Sequence, residues 1–115
     1  MLFSALLALG LLAATDAGAH AVLVDSTPPA KAELVGNKVE FHLRYNSRID
    51  AKRSRLSLKG PGGAKTVAVT QGASEAELVA RAEGLAPGQY VLFWDVLSVD
   101  GHVSRGQVPF SAIAP

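Results

Sequence analysis

Two groups of residues in this chain have the types and spacing for metal chemistry. The first is His20, which directly follows Ala17-Gly18-Ala19. Ala-x-Ala is the small-residue pattern after which a signal peptidase cuts, and a cut there makes His20 the first residue of the mature protein. A histidine in that position offers two nitrogens, its free α-amine and its imidazole, which can close a chelate ring on one metal ion. An internal histidine cannot do this, because its backbone nitrogen is tied up in an amide. The second group is Asp100 and His102, within Ser98-Val99-Asp100-Gly101-His102. In an extended backbone residues 100 and 102 project to the same side, so a carboxylate and an imidazole converge. Asp-x-His alone is a weak signal, since Asp-Gly is a common turn dipeptide. Its weight comes from combination with His20.

The segment ahead of the cut has the parts of an export signal. Leu2 to Ala14 is nearly all Leu and Ala, is too short for a stable membrane anchor, and ends in a polar break at Thr15 and Asp16. No Lys or Arg precedes the apolar run. Either the α-amine of Met1 supplies the positive charge or the true start lies upstream. A cut after Ala21 also satisfies the small-residue rule, through Ala19 and Ala21, but it discards His20. We expect residues 1–19 to be a cleaved signal peptide and residues 20–115 to be one domain in the periplasm, with no membrane insertion after cleavage.

Composition narrows the classes. The formal net charge is +1, and removing Asp16 adds one further positive charge. That balance is too mild for a nucleic-acid partner. Six basic residues, Arg44, Arg48, Lys52, Arg53, Arg55 and Lys59, lie close together in sequence and read as a solvated loop and strand face. Cysteine is absent, which excludes disulfides and thiolate metal sites. Any metal must be held by nitrogen and oxygen.

The elements that must position these ligands read as short strands. Lys38 to Tyr45 alternates, with Val39, Phe41, Leu43 and Tyr45 on one face and Lys38, Glu40, His42 and Arg44 on the other. His42 is therefore read as a surface histidine. Ser54 to Lys59 and Lys65 to Thr70 flank Gly60-Pro61-Gly62-Gly63 and predict a hairpin. Glu77 to Arg81 is a further short strand, and Gln89 to Val99 suits a central one, with Tyr90, Leu92, Trp94 and Val96 facing the core. Gln107 to Ile113 closes the domain, and Pro109 argues for an edge position or a bulge. Ala30 to Val35 reads as a turn or a brief helical loop. About seven strands without an amphipathic helix predict an all-β fold, a small immunoglobulin-like Greek-key β-sandwich. Leu85-Ala86-Pro87-Gly88-Gln89-Tyr90 resembles the tyrosine corner of such folds, in which the Tyr hydroxyl turns back onto the preceding connection.

Taken together, His20-Ala21-x-Leu23-x-x-Ser26-x-Pro28, the Pro-Gly-x-Tyr turn, the Trp94 strand and Ser98-Val99-Asp100-Gly101-His102-x-x-x-Gly106 resemble the CopC family of periplasmic copper-resistance proteins. The resemblance implies a β-sandwich that binds one Cu(II) ion per monomer through the amine and imidazole of His20 together with Asp100 and His102. It also implies sequestration of copper or its delivery to a CopD-type inner-membrane importer. Ligand chemistry agrees independently. Cu(II) heads the divalent affinity order and favours tetragonal nitrogen and oxygen ligation, although the same donors suit a tetrahedral Zn(II).

The chain departs from some relatives at two points. Its one methionine is Met1, so a thioether Cu(I) site is excluded. Where relatives often carry an acidic residue that supports a ligating histidine, it has Arg44-Tyr45-Asn46, so Tyr45 or Asn46 must substitute or the support is lost. An N-terminal histidine chelate also resembles the copper brace of lytic polysaccharide monooxygenases. We expect no enzyme, because a domain this small lacks the loops for a polysaccharide surface and Asp100 would fill the position that a catalytic metal keeps open. The remaining alternative is a metal-free interaction sandwich.

Overall fold

The computed structural model describes residues 21–115. Nine strands run in order: β1 Leu23–Thr27, β2 Ala32–Val35, β3 Val39–Tyr45, β4 Arg55–Gly60, β5 Gly63–Val67, β6 Thr70–Gln71, β7 Glu77–Ala82, β8 Gly88–Leu97 and β9 Val103–Ile113. One sheet has the order β1-β3-β7-β6 and the other β2-β9-β8-β4-β5. The chain crosses between sheets from β1 to β2, from β2 to β3, from β3 to β4, from β5 to β6 and from β7 to β8. The expected immunoglobulin-like sandwich is the fold.

Periodicity explains the core. In β3 the alternate residues Val39, Phe41, Leu43 and Tyr45 are buried and those between them are not. In β8 the buried set is Tyr90, Leu92, Trp94 and Val96. The two inner faces interlock through aromatic rings. Phe41 meets Phe110 edge-on at 5.7 Å and Tyr45 meets Trp94 edge-on at 5.3 Å across the sandwich, while Tyr90 stacks on Phe110 at 5.4 Å within one sheet. The tyrosine corner is present, with the Tyr90 hydroxyl donating to the Ala86 carbonyl at 2.7 Å. Gly106 is the residue opposite Trp94, and its lack of a side chain lets the indole lie directly on the backbone. A Cβ there would come within 2.2 Å of the ring.

The structure departs from the sequence expectations in three places. Residues 32–35 form a strand rather than a turn or helical loop, running parallel to β9 from Ala32 opposite Phe110 to Val35 opposite Ile113. Leu34 packs against the core from this strand, and Lys31, at φ 69°, turns the chain into it. The expected strand from Lys65 to Thr70 is two. β5 ends at Val67, which is buried opposite Leu56, and the chain then crosses so that Thr70 pairs with Val79 in the other sheet. Pro109 lies in neither an edge strand nor a bulge, because β9 is interior, between β2 and β8. It is tolerated because β2 begins opposite residue 110, just past the proline. Its carbonyl still accepts the Lys31 N–H at 2.7 Å.

Candidate metal centre

β8 and β9 are joined by a tight turn that carries Asp100 and His102. The inward phase of β8 continues past Val96 to Ser98, which is 1% exposed. The Ser98 N–H donates to the His102 carbonyl at 2.9 Å, and the Gly101 N–H donates to the Ser98 carbonyl at 2.9 Å, closing the turn. Gly101 has φ +94°, a conformation that residues with a Cβ rarely adopt. The backbone at Asp100 is thus in a turn and not extended, so the pair converges by a different route from the one expected. Folding of the turn, rather than strand alternation, brings the two side chains together.

Asp100 Oδ1 is the centre of the cluster. It accepts the Ser98 hydroxyl and the His102 backbone N–H at 3.3 Å, and it stands 3.2 Å from His102 Nδ1. Both side chains are about half exposed. The Ser98 hydroxyl, and after it His102, hold the Asp100 carboxyl below the usual carboxylate range, because donors aimed at an oxygen favour its charged form. Two ligands at right angles, each about 2.0 Å from a metal, stand about 2.8 Å apart. At 3.2 Å, Asp100 Oδ1 and His102 Nδ1 are somewhat wider apart than that and at hydrogen-bond distance from each other.

The beginning of the described chain lies at the same end of the sandwich. Ala21 is 4% exposed and belongs to the core. The Val22 N–H donates to Asn46 Oδ1 at 2.8 Å, and the Asn46 N–H donates back to the Val22 carbonyl at 3.0 Å. The loop that begins with Asn46 continues directly to the turn that carries Asp100 and His102. The Arg48 carbonyl accepts the Val99 N–H at 3.1 Å, the Asp50 N–H donates to the Leu97 carbonyl at 2.8 Å, and Ile49 bridges to Ser98. A single loop thus ties the second residue after His20 to the residues flanking Asp100. His20 itself lies outside the described residues.

Of the two candidates to support a ligating histidine, Tyr45 turns into the core against Trp94, and burial pushes its phenol pKa up. Asn46 reaches the backbone of the incoming strand. His42 is on the outer face of β3, hydrogen-bonded to Glu40 at 2.6 Å. Within the basic segment, Arg44, Arg48 and Arg53 face Asp25, Glu75 and Asp50 at 3.7 to 3.8 Å on exposed surface. Among the described residues no three or more His, Cys, Asp or Glu side chains converge. Asp100 and His102 stand together as a carboxylate–imidazole pair. Sequence reasoning gave no role to Ser98. The available signal was a polar residue at the inward phase of β8.

Comparison with known proteins agrees with this architecture. The CopC domain family matches residues 23–112. Protein YobA of Escherichia coli strain K12 is 30% identical over 97 residues, covering 81% of this chain and 78% of YobA. Among solved structures, CopC from Methylosinus trichosporium OB3b superposes with a TM-score of 0.74 at 32% identity, over 83% of this chain and 95% of that one. PcoC from Escherichia coli, a methionine-rich copper resistance protein, gives a TM-score of 0.66 at 26% identity, over 83% of this chain and all of PcoC. With the family matched from the start of β1 to the last residues of β9 and the sandwich superposing on CopC and PcoC, this chain belongs to the CopC family.

Proposed function

We propose that this chain is a periplasmic Cu(II)-binding protein that, after removal of residues 1–19, holds one copper ion through the amine and imidazole of His20 together with Asp100 and His102. CopC proteins are copper-binding resistance proteins and not enzymes, which sets the copper-related class. The observation that carries the finer reading is the loop from Asn46 to Asp50, which bonds Val22 on one side and Leu97 and Val99 on the other. A chain beginning at His20 then starts two residues from the clamp, at the end of the sandwich that bears Asp100 and His102.

The donor set suits Cu(II). One amine, two imidazoles and one carboxylate provide the tetragonal nitrogen and oxygen ligation that this ion favours. A terminal amine titrates near 7.7 to 8.0 on average, so copper displaces its proton at neutral pH at modest cost. PcoC is described as methionine-rich, whereas the one methionine here is Met1. The cargo we propose is accordingly Cu(II) and not Cu(I). Its fate is sequestration or handover to a CopD-type membrane importer.

Copper titration of two forms tests the reading, one beginning at His20 and one with a single extra residue ahead of it. The first should bind Cu(II) tightly and the second far more weakly. Equal affinity would remove the amine from the site. Intact mass of the exported protein, with and without Cu(II), reports the cut and the stoichiometry together, and a mature protein lacking His20 would overturn the proposal.

A further inference from the structure

Resting on that copper reading, we propose that Ser98 is the positioning residue for Asp100. Its buried hydroxyl fixes the carboxylate in the turn, so that a metal meets one preset oxygen rather than a freely rotating, two-oxygen group. Ser98 is 1% exposed, and serine is seldom buried so completely without a polar task. The hydroxyl donates to Asp100 Oδ1 and lies 3.1 Å from the His102 carbonyl. Its own backbone N–H and carbonyl close the turn on His102 and Gly101. One residue below the surface therefore holds both the backbone of the loop and the side chain of a ligand. Three groups bear on Oδ1, and among the described residues no hydrogen bond goes to Oδ2. A carboxylate held through one oxygen keeps a single orientation, and a single oxygen ligand leaves room in a square plane for three nitrogens.

A hydroxyl with a merely structural role would affect metal binding whether or not Asp100 is present. A double-mutant cycle separates the two cases. Cu(II) affinity is measured by competition with a chelator for Ser98→Ala, Asp100→Ala and the double variant, all beginning at His20. Loss of an outer partner of a metal ligand typically costs about 10- to 100-fold in affinity, and Ser98→Ala should fall in that range and alter the copper EPR spectrum. In the Asp100→Ala background the same substitution should change nothing further. In the metal-free protein, three-bond couplings should show one Asp100 χ1 rotamer in the parent and averaging in Ser98→Ala.

Should Ser98→Ala fail to fold, Ser98→Cys keeps the volume with only a weak donor, and the same cycle applies. Unchanged affinity on removing the hydroxyl, or an equal loss in both backgrounds, overturns the inference while leaving the copper site standing. Unchanged affinity in Asp100→Ala overturns the assignment of Asp100 as a ligand, and this inference with it.

Discussion

Val22 and Asn46 exchange two hydrogen bonds, the Val22 N–H to Asn46 Oδ1 at 2.8 Å and the Asn46 N–H to the Val22 carbonyl at 3.0 Å. The second of these is a backbone bond that survives any side-chain change. The first depends on the amide side chain and fixes the residue just ahead of β1. Because Asn46 is exposed, its side-chain bond is worth little to global stability, at most about 1 kcal/mol. Its consequence is local order two residues from His20.

We therefore expect Asn46→Ala to lower Cu(II) affinity while barely moving the melting temperature. Ordering one backbone residue costs about 1 to 2 kcal/mol, and 1.4 kcal/mol is a factor of ten in binding. Affinity should fall about tenfold. Competition titration alongside a thermal melt checks both halves, and an unchanged affinity would mean that Val22 is held well enough by its backbone bond alone.

The parts of the fold that could be read from the sequence are those set by local alternation. Phe41, Leu43, Leu92 and Val96 could be assigned inward because period-two patterning fixes a face wherever one side of a sheet is buried. The Tyr90 hydroxyl bond to Ala86 followed from a turn signature four residues long. What escaped is long-range pairing. Nothing within Ala32–Val35 announces that its partner is β9, nearly eighty positions later, or that the pairing is parallel. The sheet switch after Val67 has the same origin, because a continuous alternating run does not say which sheet each half joins. At the candidate site, Asp100 and His102 were singled out by residue type, but the turn that unites them depends on Gly101 at positive φ and on a serine whose phase, rather than its chemistry, was the clue.

Glu40 sets a pH dependence on the outer face of β3. The His42 hydrogen bond, and after it the Arg81 hydrogen bond at 2.7 Å, hold its carboxyl below the ordinary range. A carboxyl whose folded pKa is depressed binds its proton more readily in the unfolded chain, so its contribution to stability is present above the unfolded pKa of about 4.3 and is lost as pH falls through the folded value. Urea unfolding of the parent and of Glu40→Gln should differ by a constant amount from pH 7 down to about 5, and the two should converge on further acidification. The difference should also shrink in high salt, because the network is open to solvent. A gap that persists below pH 3 would show that Glu40 acts by packing and not by charge.

Two buried tyrosines give opposite predictions for the same chemical change. The Tyr90 hydroxyl is bonded to the Ala86 carbonyl at 2.7 Å, while the Tyr45 hydroxyl is buried with no hydrogen-bond partner among the described residues. Replacing Tyr90 by Phe removes a part-buried hydrogen bond, which costs about 1 kcal/mol. In a domain of this size that lowers the melting temperature by about 4 to 8 °C. Replacing Tyr45 by Phe keeps the ring that meets Trp94 edge-on at 5.3 Å and removes a hydroxyl whose desolvation nothing repays, so the melting temperature should hold or rise. Thermal melts of the two variants decide the matter side by side. A drop in Tyr45→Phe as large as that in Tyr90→Phe would reveal a partner for the Tyr45 hydroxyl, a buried water at the Tyr45–Trp94 contact, where the Trp94 indole N–H is also without one among the described residues.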